Sequence, residues 1–255
     1  MLAVIIQARL GSTRLPGKVM KKVLGKTLLA YLVERLRRTK TLKEIIVATT
    51  TASKDTPLAR HAKSLGVRVF RGDEKDVLDR YYKAATAFKV DIIVRITADC
   101  PLMDPEVVDT VVGVFTKSAG RYDYVSNVLP QTFPIGMAVE VFSFSVLAKM
   151  WEAAKMPSER EHVTLFVRNH MREFRTKNVT RKKDCSHFRV TVDTPEDLFV
   201  VRSIFKRLYE EKKEGSMQEI LEILEKEPNL CARNAHVHTI LQERHSSNAR
   251  HKRTI

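Results

Sequence analysis

The chain has 255 residues, 44% of them apolar, and carries 45 Lys and Arg against 30 Asp and Glu, a formal net charge of +15. This suits one large soluble globular domain, or a domain with a small appendage, and no stretch approaches the roughly 18 uninterrupted apolar residues of a membrane span. The first apolar run has no cationic segment before it and ends at Gln7, which argues against an export signal, and the widely spaced Cys100, Cys185 and Cys231 fit neither a disulfide framework nor a structural zinc site, so a reducing, cytoplasmic setting is expected.

In chain order, a buried strand is predicted at Val4–Ile6, followed by the polar stretch GSTRLPGK from Gly11 to Lys18. Helix and strand then alternate: helix Leu28–Arg38, strand Glu44–Thr49, helix Pro57–Leu65, strand Arg68–Phe70, helix Val77–Phe88, strand Asp91–Ile96 and helix Pro105–Lys117. Such alternation implies an α/β fold with a mainly parallel sheet wrapped by helices. Ligands of such sheets sit outside the carboxyl ends of the strands, here the loops at 7–18, 49–56, 72–79 and 97–101.

After Tyr122 the alternation loosens. A loop at Asn127–Met137 leads to a strand-like Ala138–Phe142, a helix at Phe144–Ala154 and a helix-like block at Glu159–Asn169. Residues 123–180 read as an insertion that completes a substrate site or makes an oligomer contact. A strand-like Phe188–Val192 then reaches Asp193, and Thr194, Pro195, Glu196 and Asp197 form a helix-start signal for a helix running to about Lys212. Gly215 and Ser216 mark a break, so residues 1–214 read as the main domain and 215–255 as an extension with a helix at Met217–Lys226 and a basic tail, mobile at His245–Ile255.

The first loop carries the chemistry. Arg9, Arg14 and Lys18 lie within ten residues, with Ser12, Thr13 and backbone amides as further donors and Gly11 allowing close backbone approach. Such a set suits a polyphosphate, although the spacing is neither the Walker pattern nor GxGxxG and the bland reading is a basic surface turn. Asp99 follows a buried strand and Asp193 precedes a helix; each is either a Mg²⁺ ligand or a turn and cap residue. Cys100 reads as a buried thiol rather than a nucleophile. The basic residues are spread along the chain without a nucleic-acid-binding signature, and they suit the steering of an anionic small substrate better than nucleic acid.

Six patches in order, QARLGSTRLPGK, RGDEKDVLDRYYKAA, ITADCPLMDP, VEVFSFSVL, SEREHVT and RVTVDTPEDL, resemble the sugar-nucleotide cytidylyltransferases over roughly residues 1–210. The branch is that of spore coat polysaccharide biosynthesis proteins, related to the CMP-3-deoxy-manno-octulosonate and CMP-acylneuraminate synthetases. The resemblance implies a Rossmann-like nucleotide-diphospho-sugar transferase fold, a homodimer, and Mg²⁺-dependent transfer of CMP from CTP to a sugar, a 3-deoxy-2-keto sugar acid, with release of pyrophosphate. It implies that Arg9, Gly11, Ser12, Arg14 and Lys18 hold the triphosphate, with Lys18, Arg14 and Asp99 in catalysis. It also implies that Asp79 and Arg80 lie near the nucleotide, that Asp99 and Asp193 hold the metal, and that Glu140, Glu161 and His162 face the acceptor sugar or the neighbouring subunit.

Where octulosonate synthetases carry Gln-Gly-Asp-Glu, this chain reads Thr97-Ala98-Asp99-Cys100, which leaves the acceptor open. Two other classes compete: a glycosyltransferase of related fold, disfavoured because the chain has no Asp-x-Asp, and a noncatalytic nucleotide- or RNA-binding protein, disfavoured by the paired aspartates.

Overall fold

The computed structural model describes residues 1–237; the tail expected at His245–Ile255 lies outside the described residues. The opening apolar run is β1 (Leu2–Gln7), whose inner residues Ala3 to Ile6 are fully buried. After the basic loop, a two-residue hairpin of β2 (Lys22–Val23) and β3 (Lys26–Thr27), turned by Leu24 and Gly25 at positive φ, leads into α1 (Leu28–Leu36). Thr27 caps this helix by accepting from the Ala30 N–H at 3.0 Å.

The predicted alternation continues through β4 (Glu44–Thr50), α2 (Thr56–Ser64), β5 (Arg68–Gly72), α3 (Val77–Ala87), β6 (Ile92–Thr97) and α4 (Pro105–Lys117). Beyond it lie β7 (Tyr124–Ser126), β8 (Glu140–Ser143), α5 (Phe144–Ala153), α6 (Pro157–Glu161), α7 (Leu165–Asn169), β9 (Thr176–Asn178), α8 (Pro195–Glu210) and α9 (Met217–Lys226). Residues 228–237 are helical.

Among the described residues, seven strands form one sheet in the order β5-β4-β1-β6-β8-β7-β9. The first four are parallel, β8 runs antiparallel to both β6 and β7, and β9 runs parallel to β7. Because β1 is followed by β4 on one side and flanked by β6 on the other, the connections diverge between β1 and β6, and a crevice opens at their carboxyl ends. Their register pairs Gln7 with Thr97, so the loops that start at Ala8 and Ala98 leave the sheet side by side.

The two-residue period of the strands divides the core between the faces. Val4, Ile6, Val94 and Ile96 pack with α1, α4, α8 and α9, while Ala3, Ile5 and Ile93 pack with Leu78 and Tyr81 of α3 and Leu147 and Met150 of α5. Among the described residues no helix is long and apolar enough to cross a membrane.

Two predicted elements take other forms. The block at Glu159–Asn169 is two helices, α6 and α7, broken where Val163 adopts φ 41° and Thr164 turns its hydroxyl onto buried Glu140 at 2.7 Å. The segment Phe188–Val192 is not a strand. Its backbone pairs with Ile135 at Phe188 and Val190, then with Asp99 at Val192, so it changes partner before a ladder can extend. The three-residue β7 and β9 are too short to show a period in the sequence.

Gly136, opposite this crossing segment, has φ 111°, and a Cβ there would lie 2.6 Å from the Thr191 nitrogen. Gly136→Ala therefore combines strain with overlap against backbone and should destabilise the protein by about 2 kcal/mol or more, read as a lower urea midpoint.

Candidate active site

A cleft of about 420 Å³ lies over the carboxyl ends of β1 and β6. Of the residues singled out in the sequence, Arg9, Gly11, Ser12, Arg14, Lys18, Arg80, Asp99, Glu161, His162 and Asp193 line it, as does Thr13, and Gln7, Val77 and Thr97 join them. The basic stretch is a folded-back loop rather than a loose turn. The Gly17 N–H donates to the Leu10 carbonyl at 3.0 Å, and the Leu10 N–H donates to the Asp55 carboxylate at 2.7 Å. Asp55 is fully buried and also accepts from the Thr50 hydroxyl, which ties the loop to the end of β4. Gly17, at φ 65°, starts the short 3₁₀ turn Lys18–Met20 that directs Lys18 inward.

Lys18 ends between the two predicted aspartates. Its Nζ lies 2.8 Å from Asp99 Oδ2 and 2.8 Å from Asp193 Oδ1. Arg14 Nη2 reaches the same Asp193 oxygen at 3.0 Å, and Arg189 Nη2 holds the other at 2.8 Å. Asp99 accepts from the Thr97 hydroxyl, and its carbonyl accepts the Val192 N–H at 2.8 Å and the Thr191 hydroxyl at 3.0 Å. These backbone bonds bring two residues 94 positions apart in sequence to one ammonium group.

Burial alone would lower the Lys18 ammonium, but the two carboxylates outweigh it and hold its pKa above the ordinary value. Burial would likewise raise Asp193; Lys18, Arg14 and Arg189 instead hold it down at about 2. The Cys100 thiol is pushed up to about 12 by burial and by adjacent Asp99, so it stays neutral at physiological pH, in keeping with a buried thiol rather than a nucleophile.

The rim opposite the basic loop is α6. Arg160 donates to Asp76 Oδ2 through Nε at 2.9 Å and Nη2 at 2.6 Å and to the Trp151 carbonyl at 2.7 Å, hanging this five-residue helix on the start of α3. Glu161 thereby comes to 3.5 Å from Arg9, and His162 lines the same side. Arg80, 1% exposed, donates from Nη1 to the Asp73 carbonyl at 2.8 Å, while among the described residues its buried Nε has no hydrogen-bond partner.

Two predicted residues do not enter the cleft. Asp79 turns toward α5, accepting from Trp151 Nε1 at 3.0 Å and pairing with Lys83 at 2.8 Å, because its place in the first turn of α3 points it across the helix pair. Glu140, 3% exposed, accepts from Arg95, Tyr124 and Thr164 beneath the sheet end, a set of donors that holds its pKa down despite burial. Sequence reasoning passes over Asp55 and Arg189, whose partners are set only by the fold; an Asp five residues beyond a strand and an Arg in an apolar run carry no local signal.

Asp99 and Asp193 offer hard carboxylate oxygens of the kind that hold Mg²⁺ together with substrate phosphates and waters, and here both are directed at the Lys18 ammonium. Among the described residues no group of three or more His, Cys, Asp or Glu is placed to hold a metal ion.

The depressed Asp193 pKa has a definite sign. Its stabilising contribution is complete above the unfolded value of about 4 and is lost as pH falls toward about 2. Without added divalent cation, Asp193→Asn should lower stability near neutral pH, and its deficit against wild type should shrink as the pH drops below about 4, read from urea midpoints across pH.

A family model described as cytidylyltransferase matches residues 3–244. The spore coat polysaccharide biosynthesis protein SpsF of Bacillus subtilis is 33% identical over 232 residues, covering 88% of this chain and 94% of the relative. A 3-deoxy-manno-octulosonate cytidylyltransferase of Solibacter usitatus is 39% identical over 110 residues, 42% of each chain. A cytidylyltransferase structure from Leptospira borgpetersenii superposes with a TM-score of 0.86 at 36% identity, covering 90% of this chain and 96% of that one. With a match along nearly the whole length and a cleft that joins a cationic loop to two carboxylates, the chain belongs to the cytidylyltransferase family.

Proposed function

We propose that the protein transfers CMP from CTP to a hydroxyl of an acidic sugar, a 3-deoxy-2-keto sugar acid, and releases pyrophosphate in cell-surface polysaccharide synthesis. The observation that carries this reading is Lys18 held between Asp99 and Asp193 at the foot of a loop bearing Arg9 and Arg14. A site for a full triphosphate needs both parts: cations for the anionic tail, and carboxylates for the counter-ion that accompanies it.

In this reading Arg9, Arg14 and Lys18, with the N–H and hydroxyl groups of Gly11 and Ser12, hold the β- and γ-phosphates. The acceptor hydroxyl attacks the α-phosphorus in line; its oxygen bonds to phosphorus as the bond to the pyrophosphate oxygen breaks, and its proton leaves to solvent. Lys18 and Arg14 stabilise the charge that gathers on the leaving pyrophosphate. A Mg²⁺ ion held by Asp99 and Asp193 would supply Lewis acidity at the α-phosphate and the acceptor hydroxyl.

Arg80 closes the nucleotide end from β5 and α3, and Glu161 and His162 meet the acceptor on the other rim. Glu140 and Asp79 act from outside the cleft, Glu140 by bracing the end of β6 through Arg95 and Asp79 by joining α3 to α5. The enzyme would act in the cytoplasm as a homodimer formed through residues 123–180, a region that exposes Leu129, Met156 and Met171.

The test is pyrophosphate release with Mg²⁺, with each of the four nucleoside triphosphates set against 3-deoxy-2-keto sugar acids and neutral sugars. Release with CTP and one acidic sugar is expected; release only with a neutral sugar would replace the acceptor class, and absence of CTP binding would remove the function. Asp99→Asn should lower kcat by at least about 100-fold with the fold intact by circular dichroism, and an active variant would take Asp99 out of the reaction.

A further inference from the structure

Asp193 is not held by the cleft alone. Behind it lies Asp197, fully buried, with five donors on its carboxylate: the Asp193 N–H at 2.9 Å, the Thr194 N–H at 3.1 Å, Arg189 Nε at 2.8 Å and Nη2 at 3.0 Å, and Asn234 Nδ2 at 2.9 Å. Starting α8 requires less than this. Its capping box needs only the reciprocal bonds between Thr194 and Asp197.

The remaining contacts form a chain that ends in the cleft. Arg189, 5% exposed, shares its Nη2 between Asp197 and Asp193 Oδ2, the latter at 2.8 Å. Asn234, 2% exposed on the helical segment 228–237, donates from Nδ2 both to Asp197 Oδ1 and to the Arg189 carbonyl at 3.1 Å. Asp197 Oδ2 is covered by its local backbone and by Arg189 Nη2, whereas among the described residues Oδ1 has only Arg189 Nε and Asn234. If Asn234 loses its amide, a buried carboxylate oxygen and a backbone carbonyl each lose a donor, and Arg189, bonded to both Asp197 and Asp193, is the group that carries the loss to the cleft.

We propose that Asn234 is a positioning residue of the active site: through Asp197 and Arg189 it sets the direction of the Asp193 carboxylate, which makes the C-terminal extension part of the catalytic architecture. The inference rests on the reading of Asp193 as a metal-holding group. It assigns to the extension a task that its distance in sequence from the cleft conceals.

The test uses two full-length variants. Asn234→Leu keeps the branched heavy-atom skeleton and removes the donors, and Leu230→Ala, at a 6% exposed position on the same segment, loosens packing without touching the network. Asn234→Leu should raise the Mg²⁺ concentration for half-maximal pyrophosphate release by about tenfold and weaken Mn²⁺ binding, read by electron paramagnetic resonance, to a similar extent. Its Arg189 Nε–H signal in NMR should shift, while Leu230→Ala, compared by urea midpoint, leaves cation dependence and that signal unchanged. Equal effects from both variants, or none from Asn234→Leu, would overturn the proposal. A wild type that needs no divalent cation would defeat the metal reading alone, and the positioning role would then be decided by the Arg189 signal: a shift confined to Asn234→Leu supports it and no shift refutes it.

Discussion

One ammonium group between two carboxylates is the interaction on which the rest of the structure depends. Asp99 and Asp193 would repel one another in a partly buried crevice, where charge interactions are screened less than in water. Lys18 turns that repulsion into attraction on both sides. The arrangement serves the apo protein and the reaction alike. It keeps two acidic groups close together at the foot of the cationic loop.

Bringing these three groups together requires the tertiary fold, and each arrives by a different route. Lys18 is delivered by a loop tied back through Leu10 to buried Asp55. Asp99 leaves the end of β6, in register with the end of β1. Asp193 comes on a segment that never becomes a strand, because it pairs first with Ile135 and then with the Asp99 backbone. Gly136 permits that crossing, since no side chain fits between the two backbones. The site is therefore a junction of backbones before it is a set of side chains, which explains why so much buried polar structure, Asp55, Arg189 and Asp197 among it, surrounds the cleft.

The electrostatics follow a gradient of scale. The net charge of +15 acts at long range and favours the approach of anionic substrates. Arg9 and Arg14 are partly exposed and give the mouth of the cleft its sign. Deeper in, charges are matched one against another, so that orientation rather than attraction is what the interior supplies.

The amino-acid sequence by itself determined the alternation of strands and helices through Lys117, the cationic loop with Arg9, Arg14 and Lys18, and the candidacy of Asp99 and Asp193. These rest on local rules: apolar periodicity, turn residues and short-range spacing of charge. The resemblance placed those residues in a family. Tertiary structure decided the rest. It split Glu159–Asn169 at Val163, withheld a strand from Phe188–Val192, turned Asp79 toward Trp151, and enclosed Glu140 among Arg95, Tyr124 and Thr164. It also joined Asn234 to Asp197, 37 residues away. The reason is physical: a buried polar group is satisfied by whichever donor the packing brings near, and that partner leaves no periodic mark in the chain.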